Sequence, residues 1–330
     1  MATDDGGVCV KILVSVLGML LSAASAAQTF PQPGKPIRVL VGFAAGGGTD
    51  IQARLAAPRL AEALGVSVVV ENKPGAGTSI AANEVARAAP DGHTILYSFN
   101  GAFAQVPFTL AGGVPYDPVK DFTPLSLGAS GSQILVLHVS VPANNVKELL
   151  AWAKVNPGKL NIASFGTGTS SHLFAEMFMR QSGVDMVHVP YKGTGDAVKD
   201  LLVGRVQIMF DAGTSAIANA STGRLKMIGV VGEKRSPFTP DVPTMTEQGI
   251  KGIDLVGWLG WFAPANLPPE ITRRLNAALV RVHANPELKS AYEKGGYESV
   301  SSSSEELGGM VKRDIDRWGR IIKDIGFKPQ

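Results

Sequence analysis

A chain of 330 residues, 45% hydrophobic and 18% charged, can fill one large core or two of ordinary size. Its net charge of +3, with no dense cluster of lysine and arginine, is that of an ordinary surface and excludes a nucleic-acid footprint. The only cysteine, Cys9, precedes an apolar segment, so a disulfide framework is excluded as well.

In chain order, Ile12 to Leu21 (ILVSVLGMLL) follows Lys11 and leads into the small residues Ser22 to Ala27. That pattern reads as a secretory signal of residues 1–27, too short to span a bilayer, with cleavage expected near Ala27. Asp4 and Asp5 are unusual in its charged lead. The mature chain would then carry no thiol, and it is expected to be soluble outside the cytoplasm, because no later stretch is apolar for long enough to span a membrane.

Ile37 to Phe43 is a short β-branched run suited to a strand buried on both faces. Gly46, Gly47 and Gly48 allow a tight turn, Thr49 and Asp50 are helix-capping residues, and Ile51, Leu55 and Leu60 give the next helix an apolar face. Unpaired N–H groups at such a helix start suit a carboxylate or phosphate. Neither nucleotide motif is satisfied: no lysine precedes Thr49 as a P-loop requires, and Ile51 stands where a dinucleotide fingerprint has its third glycine. Alone, the turn is equally a structural one.

Val66 to Val70 reads as a strand, Ser79 to Ala89 as a helix and Thr94 to Phe99 as a third strand. The alternation argues for a largely parallel sheet. Asn100 to Phe122 reads as a long connection, Gln133 to Val139 as the strand that begins a second lobe, and Pro142 to Gly158 as holding a helix.

A second copy of the first arrangement follows. Leu160 to Phe165 is a strand, Gly166, Thr167, Gly168, Thr169, Ser170 and Ser171 form another glycine and hydroxyl turn, and His172 to Arg180 is amphipathic. Two anion-ready helix starts imply two lobes facing each other across a cleft. A third turn, Pro190 to Gly195, contains Tyr191 and Lys192, and Asp211 ends a strand at Val206 to Phe210, where ligands collect in such sheets.

Leu255 to Phe262 reads as a return to the first lobe, and Pro268 to Gly295 and Ser303 to Gly326 as helical patterns packing on it. The expected lobes are residues 28–126 with 256–330, and 127–255, hinged by two crossing strands.

Phe43, Phe99 and Phe165 end three strands at one edge and serve equally as core or as the apolar wall of a cleft. Asp50 is either a cap or a partner for a ligand ammonium or bridging water. Ser171 beside His172 raises an exported hydrolase as the alternative function, although no G-x-S-x-G elbow is present. A cytoplasmic phosphate- or nucleotide-binding protein is the other rival. The five histidines carry no metal-binding spacing, and no cofactor is expected.

Taken together, the runs Gly42 to Asp50 (GFAAGGGTD), Val70 to Gly77 (VENKPGAG), Ala89 to Gly92 (APDG), Ala163 to Leu173 (ASFGTGTSSHL), Val189 to Gly193 (VPYKG) and Asp241 to Thr244 (DVPT) resemble the substrate-binding receptors of tripartite tricarboxylate transporters, the Bug proteins. The resemblance covers nearly the whole mature chain. It implies an α/β type II periplasmic binding fold of two lobes with central mixed sheets, closing on a small carboxylate without chemistry. It further implies ligand contacts from Ala44, Gly47, Thr49 and Asp50 in the first loop and Gly166, Thr169 and His172 in the second, with Tyr191 and Asp211 as further candidates. Phe43, Gly46, Phe99, Phe165, Thr167, Gly168 and Ser170 complete the expected site. Implied ligands are di- or tricarboxylates, acidic amino acids or aromatic acids, and implied partners are membrane permease subunits, with the receptor a monomer. Ala45 departs from a proline common in the family, and Thr78 from a frequent glycine.

Overall fold

The computed structural model describes residues 30–330, so the segment read as a secretion signal lies outside the described residues. The first third of the chain gives β1 (Ile37–Val41), α1 (Gly48–Leu64), β2 (Val68–Asn72), α2 (Ser79–Ala86) and β3 (Thr94–Phe99). The expected long connection holds two short helices, α3 (Gly101–Ala104) and α4 (Val106–Thr109), and is followed by β4 (Phe122–Gly131) and β5 (Gln133–His138). Then come α5 (Val146–Val155), β6 (Asn161–Ser164), α6 (Ser170–Ser182), β7 (Val187–Pro190), α7 (Thr194–Leu202), β8 (Ile208–Ala212), α8 (Gly213–Ala220) and β9 (Leu225–Val230). The chain ends with β10 (Gly257–Pro264), α9 (Pro269–Ala284), α10 (Pro286–Lys294), β11 (Glu298–Ser299) and α11 (Ser304–Asp324).

Two mixed sheets result, ordered β11-β4-β10-β3-β1-β2 and β7-β6-β8-β5-β9. β1 lies parallel to both β2 and β3, as its short β-branched run and the crossover helices predict. β10 runs antiparallel between β3 and β4, with two register shifts against β4. The chain leaves the first sheet at Gly131 and enters the second at Gln133, five residues beyond the expected lobe boundary, and returns at Gly257.

One core runs from the first sheet onto one face of the second, where Val136, Ala163 and Met209 join it, and a second core covers the other face of the second sheet. Val39, Leu40, Tyr97 and Trp261 belong to the first, and Leu135, Ile162, Phe174 and Phe210 to the second. The expectation that both C-terminal patterns pack on the first lobe needs correction for α11. Leu307 and Val311 join the first core, whereas Trp318 and Ile322 join the second, where Trp318 packs 5.7 Å from the Phe174 ring. A helix of 21 residues is about 30 Å long, enough to reach across both lobes.

Candidate functional site

The turn between β1 and α1 and the turn between β6 and α6 face each other, as their twin sequences predict. Phe43, Phe99 and Phe165 form an aromatic cluster between them, with ring centroids 5.2, 5.8 and 6.3 Å apart at tilted to edge-on angles. Beside this cluster lies a cavity of about 60 Å³ whose lining includes Phe43, Gly47, Gly48, Thr49, Phe99, Phe165, Ser170, Thr194 and Ala212. Four helices therefore start at this one cavity: α1 at Gly48, α6 at Ser170, α7 at Thr194 and α8 at Gly213.

None of these four starts is closed by the side chain of its own N-cap residue, which is Gly47, Thr169, Gly193 and Ala212 in turn. Three helices that begin elsewhere do carry a side-chain cap, although α2 and α9 do not. Asn145 caps α5, Asn285 caps α10, and Ser303 with Glu306 forms a capping box on α11. The free N–H groups and positive dipole ends thus converge where the cavity is, and no charged side chain lines it. Such a surface accepts a carboxylate or phosphate without a competing salt bridge.

The sequence-selected residues divide into groups. Phe43, Gly47, Thr49, Phe99, Phe165 and Ser170 line the cavity. Gly166, Thr167 and Tyr191 line an adjoining hollow of about 230 Å³ that shares Phe43 and Phe165 with it. The Tyr191 hydroxyl donates outward to Asp200 at 2.8 Å. Ala44 spends its N–H on the Lys192 carbonyl across the cleft, at 3.4 Å.

Others serve the loops from behind. Asp50 is buried and accepts from the Gly46 N–H, the Arg54 Nε and the Asn72 Nδ2, each at 2.9 Å. Burial raises its pKa, but those three bonds together outweigh burial and hold the carboxyl below the usual range. The Thr169 hydroxyl is buried and donates to the Gly166 carbonyl at 2.7 Å. His172 is buried, accepts from the Gly168 N–H through Nδ1 at 3.1 Å, and stacks on His188 with centroids 3.7 Å apart.

Asp211 is also buried. One carboxylate oxygen accepts from its neighbour's Ala212 N–H at 2.8 Å, and Oδ2 has no partner among the described residues. Burial pushes its pKa up to about 7, against the pull of the Ser215 hydroxyl and the Ala212 N–H.

The hydrolase alternative fails on geometry. The Ser171 hydroxyl is fully buried and donates to the Phe210 carbonyl at 2.7 Å, while the His172 ring is engaged with Gly168 and His188. No base is presented to that hydroxyl.

Sequence reasoning missed Gln52, Asn100, Gln133, Thr194, Trp258, Leu259 and Tyr297, all of which line the cavity. Thr194 follows a glycine turn of the same kind as the first two and was legible from that pattern. Asn100 and Trp258 are fixed from behind by Asp314 of α11, whose carboxylate accepts from both at 3.0 and 2.8 Å. No local signal marks them.

A larger cavity of about 480 Å³ sits behind the crossing strands and shares only Asn100 and Gly131 with the first. Glu233, Asp254, Glu298 and Asp314 line it with Lys234, Arg235 and Arg317. Its excess of carboxylates opposes an anionic ligand, so the smaller cavity is the candidate site despite its size.

The family model described as the tripartite tricarboxylate transporter family receptor matches residues 52–327. The periplasmic binding protein BugD is 36% identical, with a TM-score of 0.86 over 91% of this chain and 100% of its own. A Rhodopseudomonas palustris protein solved with adipate is 30% identical, with a TM-score of 0.86 over 90% of this chain and 99% of its own. MatC from the same organism, solved with bound malate, is 32% identical, with a TM-score of 0.83 over 88% of this chain and 100% of its own. The fold is accordingly the two-lobed type II periplasmic binding fold, and the chain belongs to the tripartite tricarboxylate transporter receptor family of periplasmic solute-binding proteins.

Proposed function

We propose that this protein captures a small organic carboxylate, a dicarboxylate foremost, between its lobes and delivers it to membrane permease subunits. The observation that carries the reading is the convergence of four uncapped helix starts on one cavity without a charged side chain. Hydrogen bonds to a charged group contribute about 1.5 to 3 kcal/mol each. Micromolar affinity needs about 8 kcal/mol, so four or five N–H donors suffice after the cost of closure. The adipate and malate of the solved relatives support the ligand class.

The same reading places the mature protein in the periplasm as a monomer, after loss of residues 1–27. The two sheets form the lobes, with residues 28–126 and 256–330 contributing chiefly to the first and 127–255 to the second. Of the expected contacts, Thr49, Ser170 and the N–H groups of the Gly47 and Gly166 turns meet the ligand. Asp50, Thr169, His172 and Asp211 hold those turns in place.

A thermal-shift panel of mono-, di- and tricarboxylates, acidic amino acids and phosphates tests this. Ligand that binds only the native state raises the melting temperature by mass action. A saturable rise with a dicarboxylate is expected. A response confined to phosphates, or none at all, would overturn the reading.

A further inference from the structure

Gln133 opens β5 one residue after the chain crosses from the first sheet to the second. It is 8% exposed and lines the cleft cavity. Its Nε2 donates to the Ser170 hydroxyl at 2.6 Å, which fixes the amide against the start of α6. The carbonyl oxygen at the other side of that amide, Oε1, is buried and accepts from no group among the described residues.

A buried acceptor without a donor keeps the full cost of its lost hydration, and native proteins keep such groups sparingly. Nothing else in the cavity relieves this one. No lysine or arginine lines it, and Gln52 Oε1, also in the lining, is itself an acceptor, taken by the Tyr97 hydroxyl at 2.9 Å. The uncapped helix starts are donors and call for an anion; Gln133 Oε1 is an acceptor and calls for a donor. A carboxylate alone satisfies only the first demand.

The position of Gln133 decides where that donor must be. Its amide is tied to Ser170, the first residue of α6, whose free N–H groups are the second lobe's carboxylate site. The ligand group nearest a carboxylate is the substituent on its α-carbon. On the carboxylate-receptor reading above, we propose that Gln133 is a specificity determinant that selects ligands carrying a hydroxyl or ammonium on the carbon beside the bound carboxylate. A 2-hydroxy or 2-amino dicarboxylate fits, and the unsubstituted diacid leaves Oε1 unpaired. Recognition of this kind rejects the analogue that lacks the donor more strongly than apolar contact can.

Calorimetric titration of the mature protein with succinate, L-malate and L-aspartate tests the inference. The wild type should bind malate, aspartate or both about 10- to 100-fold more tightly than succinate, and the stronger of the two names the donor. Gln133→Met keeps the volume and removes the acceptor, so the three affinities should converge, with succinate binding at least as tightly as to the wild type. Gln133→Glu restores an acceptor and should recover the preference, most strongly for aspartate. Equal wild-type affinities, a preference for succinate, or an unchanged ratio in a natively melting Gln133→Met would overturn the proposal. Failure of all three diacids to bind natively folded wild type would instead overturn the receptor reading, and this inference with it.

Discussion

The backbone N–H of Ala44 donates to the carbonyl of Lys192 at 3.4 Å, joining the turn after β1 to the turn before α7 across the cleft. Next to it, Gly193 adopts φ 140°, and a Cβ there would lie 3.5 Å from the Ala44 nitrogen and 3.7 Å from the Phe43 Cβ. The two turns meet through backbone, with glycine where they touch.

Gly193→Val should therefore bind ligand about tenfold to a hundredfold more weakly, the equivalent of about 1–3 kcal/mol of backbone strain in the closed form. Titration of a dicarboxylate against both proteins checks this. Unchanged affinity would show that binding does not require these turns to meet.

Thr49 and Thr169 look equivalent in sequence and are not in space. Thr49 lines the cavity, whereas the Thr169 hydroxyl holds the Gly166 carbonyl. Thr49→Ala should weaken carboxylate binding about fivefold with little change in melting temperature, and Thr169→Ala should lower the melting temperature by loss of about 1 kcal/mol. The reverse pattern would exchange their roles.

Ser171→Ala separates receptor from hydrolase. Loss of the bond to the Phe210 carbonyl should cost about 1 kcal/mol of stability. Ester or amide turnover by the wild type that disappears in this variant would contradict the receptor account.

Asp211 makes stability depend on pH in a direction opposite to the usual carboxylate. Its pKa rises from 3.8 to about 7 on folding, so the folded protein keeps a proton that the unfolded chain releases. Its contribution is complete at low pH, declines between those two values and is lost above them. Asp211→Asn cannot ionise and should melt higher than the wild type at about pH 8, and alike at about pH 3.

His188 and His283 act in the other direction. Burial first, and then the neighbouring His172 ring, push His188 down to about 4, while Glu176 opposes them; burial alone pushes His283 to about 3. Both are neutral in the fold and take up protons on unfolding below the usual value of 6.5. Their contribution is full above 6.5 and is lost as pH falls towards 4 and 3. His188→Gln should show a smaller loss of melting temperature between about pH 7 and pH 4 than the wild type.

Much of the candidate site was legible because its signals are local. Gly46 to Gly48 and Gly166 to Ser171 announce backbone turns before helices, and Phe43, Phe99 and Phe165 mark one edge of their sheets. β4 was not legible, since Pro124, Gly128 and scattered serines look like a loop, and its pairing with β10 is what makes it a strand. Gln133, Trp258 and Tyr297 reach the cavity only because the chain crosses between sheets and returns. The orientation of His172 is set by His188 on β7, 16 residues away in sequence, which no helical period reveals. α11 reads as one amphipathic stripe, yet its two halves serve different cores.

The most direct test is a crystal structure of the mature protein grown with a saturating dicarboxylate. The account predicts carboxylate oxygens within hydrogen-bond distance of N–H groups at the starts of α1 and α6, beside Phe43, Phe99 and Phe165. Density for the ligand in the larger cavity by Arg317 and Lys234, with the helix starts left to water, would contradict it.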